Sequence, residues 1–71
     1  MEYLLVNFPE DREVVIDREK QGRTNETIEL EAGTHKVSLK SPPRDFRPRQ
    51  RKVTLKGTCA LTPREVRFAK V

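Results

Sequence analysis

Residues 27–40 read TIELEAGTHKVSLK. Ile28 and Leu30 stand two apart with Glu29 between them, and Val37 and Leu39 stand two apart with Ser38 between them. Alternation of apolar and polar residues is what one half-buried strand requires, because successive side chains point to opposite faces of a sheet. Gly33 falls between the two runs, where a positive φ at no steric cost predicts a tight hairpin.

The same period extends outward in both directions. Leu4, Val6 and Phe8 form one set, Val14 and Ile16 a second, Val53 and Leu55 a third, and Val66 and Phe68 a fourth. Their neighbours are mostly polar or charged, so each segment has one wet face, as antiparallel sheets allow. Turn chemistry separates them: PEDRE, DREKQGRTN, EAGT, SPPRDFRP and KGT each place Pro, Gly, Asn or Asp where the chain must reverse. No stretch sustains a helical period. TPREV at 62–66 has the form of a helix start, with Thr62 as cap and Pro63 after it. A helix with so few residues after its start is marginal, and Val66 and Phe68 keep the strand alternation, so a final strand is expected, with a short helix over 62–71 as the alternative. The expectation is an all-β fold: a small, mainly antiparallel β-sandwich of six or seven short strands in a single domain spanning residues 1–71.

Size sets narrow terms for that fold. A 71-residue chain buries only roughly 60% of the surface its unfolded form exposes. Hydrophobic residues are 34% of it and charged residues 37%, so foldedness has to come from patterning rather than composition. Cys59 is the one cysteine, which excludes an internal disulfide and fits a reducing compartment. The opening MEYLLVNFPE meets a proline and acids after a short apolar run, and no stretch reaches transmembrane length. A cytoplasmic location without membrane insertion is expected. Charge is polarised along the chain: residues 1–39 hold nine acids against five bases, whereas residues 40–52 hold six bases against Asp45 alone.

Turns and strands together resemble the PEGA domain, a small β-sandwich module of bacteria and archaea. Pro9 and Glu10 match the name-giving motif, with Asp11 and Arg12 in place of Gly and Ala. Asp17 matches the end of the second strand, and Arg18 stands where Gly is usual. Gly22 and Thr24 match the Gly-x-Thr-Pro run, with Asn25 in place of Pro. Gly33, His35 and Val37 match the following hairpin, and PPRDFRP replaces the usual Gly-Tyr turn, with Phe46 standing for the Tyr. The resemblance covers residues 4–56 and implies a transthyretin-like or Ig-like topology. It also implies the usual setting of such domains, as repeats or attachments in larger surface, envelope or signalling proteins. Its motifs are turn residues, which speak to fold and not to chemistry.

No catalytic constellation is visible. His35, the one histidine, shares parity with Val37 and Leu39 and reads as an edge-of-core ring held by hydrogen bonds. Cys59 lacks a resolving partner and reads as a small apolar filler. Glu10, Asp11, Glu13, Asp17 and Glu19 are interleaved with Arg12, Arg18 and Lys20 and read as a mutually neutralised surface. No phosphate loop, metal-ligand spacing or cofactor motif is present, so no enzyme, cofactor or small-molecule substrate is expected. The distinctive stretch is KSPPRDFRPRQRKVTL, residues 40–55. Arg47, Arg49 and Arg51 share parity with Val53 and Leu55, and burying three unpaired guanidinium groups would cost more than so small a domain can supply. Either a strand overhangs its partner sheet or a bulge resets the register; both leave the arginines exposed. Pro42, Pro43 and Pro48 lack amide donors and keep the loop out of a central strand. Arg44, Phe46, Arg47, Arg49, Arg51 and Lys52 therefore form the candidate binding surface. The expected partner is a protein or a second copy, met through this basic loop and a neighbouring sheet edge. The alternative is single-stranded nucleic acid or another polyanion, with Phe46 as a stacking ring. A third reading is that the arginines answer the acidic half of the same chain or of a neighbouring copy.

Overall fold

A computed structural model describes residues 1–41 and 44–71, so the expectation placed on Pro42 and Pro43 lies outside the described residues. These residues form nine strands and no helix: β1 (Glu2–Asn7), β2 (Glu13–Ile16), β3 (Glu19–Arg23), β4 (Thr27–Leu30), β5 (Gly33–Leu39), β6 (Phe46–Arg47), β7 (Arg51–Leu55), β8 (Arg64–Arg67) and β9 (Ala69–Lys70). Two sheets, ordered β4-β1-β8 and β3-β2-β5-β7, carry most of the chain, and β6 pairs with β9 in a small third ladder. All pairs are antiparallel except β1 with β8, which run parallel in the register Leu4↔Arg64 to Asn7↔Arg67. Within 62–71 the chain forms the short strands β8 and β9 and not the alternative helix.

Every apolar pair identified by alternation is inside. Leu4, Val6, Val14, Ile16 and Val37 are fully buried, and Phe8, Ile28, Leu30, Leu39, Val53, Leu55, Val66 and Phe68 nearly so, in one continuous core. Both large sheets contribute to it, so each buries the apolar face that the other covers.

Three local features depart from the sequence reading. DREKQGRTN is not merely a turn: Glu19–Arg23 is β3, bonded to β2 through a two-residue turn at Asp17 and Arg18. Both turn residues have positive φ, 51° and 72°, the mirror-image turn whose twist suits a hairpin. The β2–β3 register then shifts between Glu13 and Val15, and Gly22 (φ 86°) lies in that stretch. A Cβ on Gly22 would sit 2.7 Å from Cγ1 of Ile28, so glycine lets β3 approach the core there. Gly33 does take positive φ, but it is not in a hairpin. β4 pairs with β1 and β5 pairs with β2 and β7, so the EAGT turn carries the chain from one sheet to the other.

The connection between β1 and β2 is clamped from below by Thr24 and Asn25. Buried Thr24 donates its hydroxyl to the Glu10 carbonyl at 2.7 Å and accepts the Arg12 amide at 2.9 Å. Asn25 holds Phe8 through both ends of its side-chain amide, and its own backbone N–H donates to the Val6 carbonyl at 2.7 Å. Its φ of 64° explains why asparagine occupies the position where the resemblance leads one to expect proline: proline cannot adopt it.

Candidate interaction surface

The root of the basic loop is fixed by a charge cluster. Arg12, in the β1–β2 connection, donates from Nη1 to Asp45 Oδ1 at 2.8 Å and from Nη2 to Oδ2 at 3.1 Å, a bidentate pair. The same Nη2 reaches Glu10 Oε1 at 3.0 Å. Lys70 Nζ, on β9, donates to Asp45 Oδ2 at 2.7 Å and Glu10 Oε2 at 2.8 Å. Hydrogen bonds from Arg12, then Lys70, hold the Asp45 carboxyl far below its ordinary value. The Arg12 guanidinium also lies over the Phe8 ring, 5.4 Å from its centroid.

Beneath the cluster, three phenylalanines interlock. Phe46 meets Phe8 and Phe68 edge-on, at centroid separations of 6.5 Å and 5.8 Å. Phe46 is 6% exposed. It is the anchor of the loop, and no surface is offered to a stacking base; the sequence reading of Phe46 as part of the binding face is corrected on this point. The strand period fails to show its direction because β6 is only two residues long and pairs with β9 alone.

The loop's remaining basic residues behave differently. Arg44, Arg47, Arg49, Arg51 and Lys52 are all exposed, and among the described residues none of them makes an ion pair. The reading in which these arginines answer the chain's own acidic half finds no such contact among the described residues. What does cross between the halves is Arg12 to Asp45 and Lys70 to Glu10, with Lys40 to Glu13 at 3.5 Å. The strand does not extend back to Arg47: β7 starts at Arg51, and Ser38 Oγ secures the intervening turn by donating to the Arg49 carbonyl at 2.7 Å.

From the loop the positive charge continues onto the outer face of the four-stranded sheet. Lys36 of β5 stands directly opposite Lys52 of β7, and Thr34 opposite Thr54 with their hydroxyls 3.1 Å apart. Like charges at directly opposed positions are unfavourable. β7 is the last strand of its sheet, so its outer backbone groups lie beside this row. Neither the Lys36–Lys52 juxtaposition nor the free edge is legible without the register.

Residues with chemical potential elsewhere are committed. His35 Nδ1 lies 2.7 Å from Asp17 Oδ2 and Nε2 lies 2.8 Å from the Glu31 carbonyl. With an acceptor at each nitrogen the ring favours its doubly protonated form, and the Asp17 bond, followed by the Glu31 carbonyl, raises its pKa. That is the hydrogen-bonded edge position expected of it. Cys59 is not a core filler. It is exposed in the β7–β8 turn, with Sγ 2.9 Å from Thr62 Oγ1, and this hydroxyl, helped by the Thr62 and Leu61 amides, lowers its pKa. Among the described residues no three His, Cys, Asp or Glu side chains converge as metal ligands, and no helix is long and apolar enough to cross a membrane. A hollow of about 380 Å³ opens between Asn7, Phe8, Asn25, Arg67, Phe68 and Lys70, with Lys70 and Asn25 already engaged as above.

Fold and surface together define a small all-β module whose basic loop is tied down at Asp45 by Arg12 and Lys70. The chain belongs to the PEGA domain family, whose model matches residues 6–67. The match runs past the resemblance at 4–56 to include β8, the parallel neighbour of β1. No curated protein and no solved structure matches the chain at a significant level.

Proposed function

We propose that this chain is a non-catalytic interaction module that engages a protein partner, or another copy of itself, through the basic loop and the adjoining edge of β7. The observation that carries this reading is the separation of charge at the loop. Its one acid, Asp45, is drawn down into Arg12 and Lys70, while Arg44, Arg47, Arg49, Arg51 and Lys52 face solvent without an ion pair among the described residues. Uncompensated cations beside a strand edge suit an acidic extended polypeptide, which gains main-chain hydrogen bonds from the edge and register from the charges. The absence of a catalytic role is supported by His35, committed to Asp17 of the β2–β3 turn and the Glu31 carbonyl, and by Cys59, bonded to Thr62 within its own turn. An exposed cysteine in a domain with one cysteine suits the reducing cytoplasm.

Single-stranded nucleic acid is the competing ligand and shares the electrostatic term. It is disfavoured because Phe46, the one aromatic of the loop, is buried, and binding of single strands relies on stacked rings as well as charge. A titration of a labelled Glu-rich peptide and a labelled oligonucleotide, each with the native chain and with Arg47, Arg49 and Arg51 changed to Glu, separates the two. The module reading expects the peptide to bind more tightly and to be lost in the triple variant. Preferential, steeply salt-dependent binding of the oligonucleotide would replace it with the nucleic-acid reading.

A further inference from the structure

Resting on the interaction-module reading, we infer that the strand received by β7 is β4 of a second copy, paired antiparallel. Each of these strands ends its sheet, β7 at one side of β3-β2-β5-β7 and β4 at one side of β4-β1-β8. No backbone hydrogen bond of the described turns and loops occupies either outer edge. Neither strand contains proline, and neither has a register irregularity of the kind that interrupts β3. Both edges are open templates.

The outer face specifies what should lie beside β7. Its rows run Lys36–Lys52 and Thr34–Thr54, and an added strand contributes the next residue to each. An acid beside Lys52 relieves two cations at once, and a hydroxyl or small polar group continues the threonine row. The inward positions Val53 and Leu55 call for apolar neighbours. β4 offers this pattern in reverse order, with Thr27 and Glu29 outward and exposed, and Ile28 and Leu30 inward and buried. Setting Glu29 against Lys52 places Ile28 against Val53 and Thr27 against Thr54. A slip by one residue reverses every side chain, and a slip by two residues sets Glu29 against Thr54 and loses the threonine match. Glu29 and Glu31 make no ion pair among the described residues, so both are available. Pairing β7 with β7 of another copy would bring two basic edges together. Because β4 and β7 are different edges, the contact is head-to-tail and leaves one of each unpaired, so assembly grows with concentration instead of closing as a dimer.

Sedimentation velocity over a concentration series, at low and high salt, tests this with Lys52→Glu and Glu29→Lys. The native chain is expected to gain weight-average mass with concentration, less so at high salt. Each variant, having like charges across the contact, should self-associate roughly tenfold more weakly. An equimolar mixture of the two variants should regain association, since the contacts between them again oppose Glu and Lys. Circular dichroism checks that both variants fold; Glu at position 52 also faces Lys36, which removes a repulsion. A native chain that remains monomeric throughout, or a mixture no better than its components, overturns the inference. If the chain stays monomeric while still binding the Glu-rich peptide through Arg47, Arg49 and Arg51, self-pairing alone is lost. If both fail, the interaction-module reading falls with it.

Discussion

Arg18 occupies the second position of a mirror-image two-residue turn at φ 72°, beside Asp17 at 51°. The left-handed region costs a side chain with a Cβ about 1–2 kcal/mol, which Asp offsets through its side chain but Arg does not. Here the Asp17 carboxylate does so by accepting the Lys36 amide at 3.0 Å and the His35 ring. Arg18→Gly should therefore stabilise the domain by about 0.5–1 kcal/mol after the entropic cost of glycine, read as a rise in the urea midpoint. An unchanged or lower midpoint would mean that Arg18 makes a compensating contact. Asn25 is the opposite case. Asn25→Pro, the residue that the resemblance leads one to expect there, would remove the amide bonded to Val6 and both side-chain bonds to Phe8, and would force a change of φ from 64°. A loss of about 3 kcal/mol or more is expected, and a variant as stable as the native chain would show that this turn refolds at little cost.

At the scale of elements, legibility followed the strength of the period. β1, β2, β4, β5 and β7 carry apolar pairs at alternate positions, and those pairs, with Val66 of β8 and Phe68 just after it, are all buried. β3 (EKQGR) has no apolar residue; it is a strand because the Asp17–Arg18 turn folds it back onto β2, a tertiary cause invisible in its own sequence. β6 escaped for a related reason. Two residues have no period, and Phe46 points inward because Phe8, just after β1, and Phe68, between β8 and β9, await it from distant parts of the chain. The exposed arginines were readable from the cost of burying them; the buried phenylalanine among them was not. Phe46→Ala should consequently act as a core mutation and not as a surface one, costing about 3–5 kcal/mol. That is a large share of a small domain's stability, so thermal melts should show a cooperative transition shifted far down or lost. A melt within a degree or two of native, with weakened ligand binding, would return Phe46 to the surface.

Across the whole molecule, the ion pairs join segments that the core alone does not fix, and their titration sets a pH window for stability. Glu10, Asp11, Asp17 and Asp45 have folded pKa values below their ordinary 3.8–4.5, through hydrogen bonds from Lys70, Arg23, the Lys36 amide and Arg12 respectively. A lowered acid stabilises the fold above its unfolded pKa, and that contribution disappears as pH falls through the folded value. His35 runs the other way. Its folded pKa lies above 6.5 because of Asp17 and the Glu31 carbonyl, so its contribution is complete below 6.5 and is lost as pH rises through the folded value. The two limbs leave a plateau of maximal stability between about pH 4.5 and 6.5. Melting temperature measured across a pH series at constant ionic strength should fall on either side of it. His35→Gln should flatten the limb above pH 6.5 and reduce only the Asp17 share of the acid limb, since Glu10, Asp11 and Asp45 are held by Lys70, Arg23 and Arg12. A native chain whose melting temperature keeps rising from pH 6 to 8 would show that the neutral ring is the better fit between Asp17 and Glu31. The β2–β3 turn would then be held to β5 by the Lys36 amide on the Asp17 carboxylate at 3.0 Å and the Asp17 amide on the Lys36 carbonyl at 2.9 Å.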